Sequence, residues 1–173
     1  MSNRRFLFSS SGNGERLNFY PNMKAIIAEK PSVGMDIARV VGAADKKDGY
    51  CTGNGYMVTW ALGHLVSLAM PGTYGYTKTT AEDLPMLPHP FRLVSRQVRT
   101  DKGMVTDLAA ARQLKVIDSV LAQCDSVIVA TDCAREGELI FRWIYSYLGY
   151  TKPFKRLWIS SLTDEAIREG LAN

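Results

Sequence analysis

The stretch Ala130-Thr131-Asp132-Cys133-Ala134-Arg135-Glu136-Gly137-Glu138 decides how this chain is read. Ahead of it, Ser126-Val127-Ile128-Val129-Ala130 is a short apolar, largely β-branched run with the composition of a buried strand. Behind it, Leu139, Ile140, Ile144, Tyr147 and Leu148 recur at helical spacing. The acidic run therefore sits on a strand-to-helix turn. In open α/β sheets ligands bind outside the carboxyl ends of the strands, so Asp132 and Glu136 stand where a substrate would lie.

A second carboxylate occupies the same kind of position much earlier in the chain. Lys24-Ala25-Ile26-Ile27-Ala28 is another short apolar strand, and it ends at Glu29-Lys30-Pro31-Ser32. Pro31 and Ser32 suit the start of a helix that carries Met35, Ile37, Ala38 and Val41. If the two strands are parallel neighbours, Glu29 and Asp132 emerge side by side. Carboxylates held that close repel one another unless a cation lies between them. Oxygen donors without a histidine or cysteine in the cluster select a hard ion, Mg²⁺ ahead of Zn²⁺.

The rest of the chain is consistent with one α/β domain. Its 173 residues suffice for a single sizeable core and are short for two. Three cysteines, Cys51, Cys124 and Cys133, form no Cys-x-x-Cys, which argues against a disulfide framework or zinc ribbon and for a reducing cytoplasm. No run of apolar residues is long enough to span a bilayer, so no membrane partner is expected. The net charge of +4 leans toward a polyanionic partner. Residues 1–22 are rich in Ser, Asn, Gly and Arg, and their run Phe6-Leu7-Phe8 is too short for a secretory signal. They read as a tag, an extension or a disordered arm, in which Arg4, Arg5 and Arg16 could touch nucleic acid, and Met23 reads as the natural start.

Between the acidic turns the texture changes. Tyr50-Cys51-Thr52 and Tyr56-Met57-Val58-Thr59-Trp60 flank Gly53-Asn54-Gly55, a hairpin signal. Ala69 to Pro90 holds Pro71, Gly72, Gly75, Pro85 and Pro88 and predicts an irregular surface excursion. Phe91 to Val98 then reads as a strand, and Thr106 to Gln123 as a helix with Ala110, Leu114, Ile117 and Leu121 on one face. Trp158 reads as a core residue. Thr163, followed by Asp164 and Glu165, reads as a helix cap with acids in the first turn.

Glu29-Lys30-Pro31-Ser32 and Asp132-x-x-Arg135-Glu136-Gly137-Glu138 resemble the two halves of the Toprim metal site of type IA DNA topoisomerases. Ala28 to Ser32, Thr59 to Leu65, Ala130 to Phe141 and Phe154 to Thr163 resemble the bacterial topoisomerase III group in particular, in the right order. The resemblance runs from Met23 to the C-terminus. It implies an α/β Toprim (Rossmann-like) fold, with a mostly parallel central sheet and helices on both faces. Residues 23–158 would form this domain, and 159–173 would begin the next segment of a longer topoisomerase.

The resemblance also implies roles. Glu29, Asp132 and Glu136 would hold Mg²⁺, and Glu29 would protonate the leaving 3′ oxygen of a cut DNA strand and recover that proton on religation. Lys30 and Arg135 would assist catalysis or clamp a DNA phosphate, although Arg135 could equally form an internal ion pair with Glu138 or Asp132. His64, in Gly63-His64-Leu65, is either a hydrogen-bonded loop histidine or a contact to DNA. Glu138 needs only the helix dipole to explain it. Expected partners are single-stranded DNA, gripped through its backbone, and the remaining domains of the enzyme.

Two features temper the match. The family pattern is Asp-x-Asp-x-Glu, and the middle position here is Ala134, as in other topoisomerase III sequences, which removes a ligand for a second metal. The nucleophilic tyrosine is expected beyond position 173, because Tyr74 to Thr79 lacks the Tyr-Pro-Arg-Thr-like surroundings of the family. By this reading the chain alone is inactive. The same carboxylates also serve Toprim nucleases and primases, and a solitary Toprim module could bind nucleic acid without chemistry.

Overall fold

A computed structural model describes residues 22–76, 80–101 and 103–172; the reading of residues 1–22 as a tag, extension or arm falls, but for Asn22, outside it. In chain order the elements are β1 (Lys24–Ala28), α1 (Pro31–Val41), β2 (Asp45–Lys47), β3 (Tyr50–Gly53), β4 (Tyr56–Trp60) and β5 (Val66–Leu68). They continue with β6 (Leu93–Ser95), β7 (Gln97–Thr100), β8 (Gly103–Thr106), α2 (Leu108–Gln123), β9 (Ser126–Ala130), α3 (Arg135–Tyr147), β10 (Phe154–Arg156) and α4 (Asp164–Ala172).

The main sheet has the order β10-β9-β1-β4-β3-β2. Strands β10, β9, β1 and β4 run parallel, and β3 and β2 add antiparallel at one edge through the Gly53-Asn54-Gly55 hairpin. Strand β1 is apolar throughout its inner length because it is covered twice, with Ala25 to Ala28 all 0 % exposed. Alternate side chains serve opposite faces. Ala25 and Ile27 join Leu114, Ile117, Leu121, Ile140, Phe141 and Ile144 under α2 and α3. Ile26 and Ala28 join Ile37, Ala38, Val41 and Ile167 under α1 and α4.

That division creates the crevice. Helix α1 leaves the end of β1 over one face and α3 leaves the end of β9 over the other, so the chain diverges between two adjacent parallel strands. Such a switch point is where doubly wound sheets bind ligands. Helix α1 begins with Pro31 in its first turn and lies close enough to β4 that a Cβ on Gly34 would be 2.5 Å from the Trp60 ring. Only glycine permits that approach.

Several predicted details change. Met35 is turned to solvent on α1, and on α3 the buried stripe runs through Phe141 and Tyr145 while Tyr147 is exposed. The single strand expected over Phe91 to Val98 is two strands, β6 pairing with β5 and β7 pairing with β8, with Arg96 at the break. Thr106 ends β8, and Asp107 caps α2 by accepting from Ala109 N at 2.9 Å and Ala110 N at 3.3 Å. The described residues of the Ala69–Pro90 excursion are irregular apart from short 3₁₀ turns at Pro71–Tyr74 and Ala81–Asp83. No helix among the described residues is long and apolar enough to cross a membrane.

Candidate active site

The cleft opens where β1 and β9 end. Their register pairs Lys24 with Ser126 and Ala28 with Ala130, so the two chains leave the sheet at the same level. Glu29 Oε2 accepts a hydrogen bond from the Asp132 backbone N–H at 3.0 Å, and Asp132 Oδ1 accepts one from Ala134 N–H at 3.1 Å. The Glu29 side chain thus reaches across the crevice to the acidic turn. The cleft has a volume of about 310 Å³ and is walled by Glu29, Lys30, Asp132, Cys133 and the run Ile159–Leu162.

The acidic turn is tightly built. A Cβ on Gly137 would fall inside the van der Waals shell of the Asp132 carbonyl oxygen, so the first turn of α3 can fold back on Asp132 only with glycine there. Arg156, from β10, crosses under the turn. Its Nη1 donates to Thr131 O at 2.9 Å and Asp132 O at 3.3 Å, while its Nη2 pairs with Glu138. Glu138 also accepts from Arg142 Nε at 2.6 Å. That hydrogen bond, with the charge of Arg156, holds the Glu138 carboxyl below the usual carboxylate range despite partial burial. Glu138 therefore secures the turn, beyond any helix-dipole effect.

Glu136 lies apart from this pair. Its Oε1 is hydrogen-bonded to His64 Nε2, and the His64 ring packs on Trp143 with centroids 5.7 Å apart. The structure thus brings Glu29 to Asp132, and His64 to Glu136. Lys30 and Arg135 are both exposed beside the acids, and neither forms an ion pair among the described residues. The internal pairing considered for Arg135 is absent there, because Glu138 is taken by Arg142 and Arg156.

The donors suit a hard cation that keeps its water. Among the described residues no three histidine, cysteine or acidic side chains converge on one point, so there is no closed protein cage. Two carboxylates facing an open cleft, with lone pairs to spare, match an ion bound through few protein oxygens and several waters. Cys133 does not compete as a soft ligand, since its thiol is directed at Leu157 O, 3.6 Å away.

Trp158 departs from its expected place in the core and is 69 % exposed. Leu157 is buried and Ile159 lines the cleft, so in this extended segment the intervening side chain must face outward. Neither Arg96 nor Arg156 stands out in the sequence as a site residue, although Arg156 lies in the Phe154 to Thr163 segment. Each takes its importance from carbonyls distant in the chain, and no local pattern announces such a partner.

Residues 24–162 match the family model described as "Toprim domain". DNA topoisomerase 3 of Bacillus licheniformis is 46% identical over 152 residues, covering 86% of this chain and 19% of that protein. The corresponding protein of Shouchella clausii is 48% identical over 151 residues, covering 85% of this chain and 19% of its own length. That of Bacillus anthracis is 49% identical over 153 residues, with coverage of 86% and 19%. The chain thus spans about a fifth of the length of the curated relatives it matches. Full-length topoisomerase I from Thermotoga maritima shares the fold, with a TM-score of 0.53 and 19% identity over 86% of this chain and 20% of that one. A sheet that diverges between β1 and β9 with acids at both ends, and a family match running almost the length of the described residues, lead to one conclusion: the chain belongs to the Toprim domain family.

Proposed function

We propose that this chain is the metal-holding and acid–base part of a type IA DNA topoisomerase of the topoisomerase III group, acting in the cytoplasm on single-stranded DNA. The observation that carries this reading is the hydrogen bond from the Asp132 backbone N–H to Glu29 Oε2, which ties the carboxylate after β1 to the acidic turn after β9 across the switch point. Likeness to DNA topoisomerase 3 of several bacilli supports it. Residues 23–158 are the Toprim unit and 159–173 begin the next segment of the longer enzyme.

Mg²⁺ is the metal proposed, held by Asp132 and Glu29 with Glu136 as the third carboxylate. When bound, it supplies positive charge that steadies the DNA backbone for cutting and rejoining. Glu29 delivers a proton to the leaving 3′ oxygen and takes it back on religation, while the nucleophilic tyrosine comes from the rest of the enzyme. Lys30 and Arg135, exposed beside the two acidic turns, are placed to grip phosphates flanking the break. Backbone contacts of this kind carry little sequence preference.

The test is Glu29→Gln in the full-length protein. Gln keeps the size of the side chain but cannot pass a proton, so cleavage and religation should fall by roughly 10² to 10⁴-fold with DNA binding little changed. Asp132→Asn should be partly rescued by added Mg²⁺, and the Glu29 variant should not. Near-wild-type turnover of Glu29→Gln removes Glu29 from the proton transfer. Metal-dependent hydrolysis of DNA without any covalent tyrosine adduct would favour a Toprim nuclease instead.

A further inference from the structure

The His64–Glu136 contact depends on a clamp some distance from the cleft. Arg96 sits at the break between β6 and β7, and each side of its guanidinium is used. Nε donates to Asp107 Oδ2 at 2.8 Å and Nη2 lies 2.7 Å from the same oxygen. Nη1 donates to Leu62 O at 2.9 Å and to His64 O at 3.1 Å. The backbone is engaged as well, with Arg96 N–H on Leu65 O at 2.8 Å and Asp107 N–H on Arg96 O at 2.9 Å. Asp107 is itself anchored as the N-cap of α2. The guanidinium therefore ties the start of α2 to the turn that carries His64. His64 in turn holds one oxygen of Glu136 and leaves the other free.

We infer that Arg96 is a positioning residue for metal binding: by fixing the Leu62–His64 turn it sets the side-chain orientation of Glu136. The inference rests on the reading of Glu136 as a metal ligand. A carboxylate already ordered by a neighbour loses less side-chain freedom when it ligates an ion, and partners of this kind typically contribute about 10 to 100-fold in metal affinity. Lysine cannot replace Arg96 here. It keeps the charge opposite Asp107 but lacks the planar fork that reaches both carbonyls at once.

The experiment titrates MgCl₂ into the ¹⁵N-labelled 173-residue chain and follows the backbone amides of Glu136 and Asp132. Arg96→Lys should weaken Mg²⁺ binding about tenfold. His64→Ala, which leaves the clamp intact, should weaken it equally, and the double variant no further. In the metal-free protein, Arg96→Lys should move the Glu136 amide toward its position in His64→Ala. A purely structural role would lower the urea midpoint of Arg96→Lys without that shift or the non-additivity. Unchanged or tighter binding in either single variant, or additive losses in the double, overturns the inference. Glu136→Gln separates the two readings: if it binds Mg²⁺ like the wild type, Glu136 is no ligand and both fall. If it binds weakly while Arg96→Lys binds normally, only the role of Arg96 falls.

Discussion

Two arginine clamps, one under the Asp132 turn that walls the cleft and one behind the His64 turn that holds Glu136, are built alike. Arg156 gives Nη1 to the carbonyls of Thr131 and Asp132 and pairs with Glu138 in the first turn of α3. Arg96 gives Nη1 to the carbonyls of Leu62 and His64 and pairs with Asp107 at the start of α2. Their settings differ. The Arg156 side chain is 10% exposed and the backbone it grips continues β9, which is fully buried on one face and partly buried on the other. Arg96 is 31% exposed and grips the half-buried Leu62–His64 turn, beside strands β6 to β8, none of which contributes a fully buried residue. The same polar device reinforces a buried ladder in one case and pins a half-buried turn in the other. Loss of the first should register in stability, and loss of the second in the placement of one side chain.

The core beneath the Asp132 turn offers the largest perturbation. Phe141 is fully buried and packs edge-on against Phe154 at 4.8 Å between centroids. Phe141→Ala should cost about 3–5 kcal/mol in urea unfolding. A loss below about 1 kcal/mol would mean that the sheet is held mainly by its polar turns, and the contrast between the clamps would fail.

Arg156→Met should cost less, about 2–3 kcal/mol, because it strands two carbonyls and leaves Glu138 with Arg142 alone. Chemical denaturation of the variant reads this directly. If Arg96→Met proves as costly as Arg156→Met, the two clamps are equivalent and the distinction disappears.

The smallest effect is a pH dependence. Glu138 is held below the ordinary carboxylate range by its bond from Arg142 and the charge of Arg156. A carboxylate lowered in the folded state contributes stability above its unfolded value, near 4.3, and loses it as pH falls through the folded value. Wild type should therefore exceed Glu138→Gln in stability at pH 7 by about 1 kcal/mol, the difference vanishing in acid below about pH 4. A gap that persists undiminished in acid would assign the role of Glu138 to packing.

The parts of the fold legible in the sequence are those whose causes are local. Strand β1 is an unbroken apolar run after Lys24 because both faces are covered, β9 is apolar after Ser126 with Val127 and Val129 fully buried, and the stripe Ala110, Leu114, Ile117 and Leu121 is the buried face of α2. Their acidic ends located the cleft. Illegible were features set by distant partners. Strands β6 to β8 lie largely at the surface, where apolar alternation is too weak to separate one strand from the next. Trp158 looked like core because tryptophan is large and apolar, yet its neighbours Leu157 and Ile159 take the inward positions. The union of His64 with Glu136 rests on a fold-back of the chain that no spacing reveals.

The glycine at 137 has a consequence for which sequences this site can explore. Position 134 is exposed at the mouth of α3, and its side chain makes no capping bond. Position 137 is walled in by the backbone of Asp132. Variation can therefore enter the acidic turn at its rim, where aspartate at 134 would even cap the helix and add about 1 kcal/mol. At 137 every side chain must push Asp132 away from Glu29. Selection from a library randomised at both sites should return many residues at 134 and glycine alone at 137, so that ligand number can drift while the spacing between the acids stays fixed.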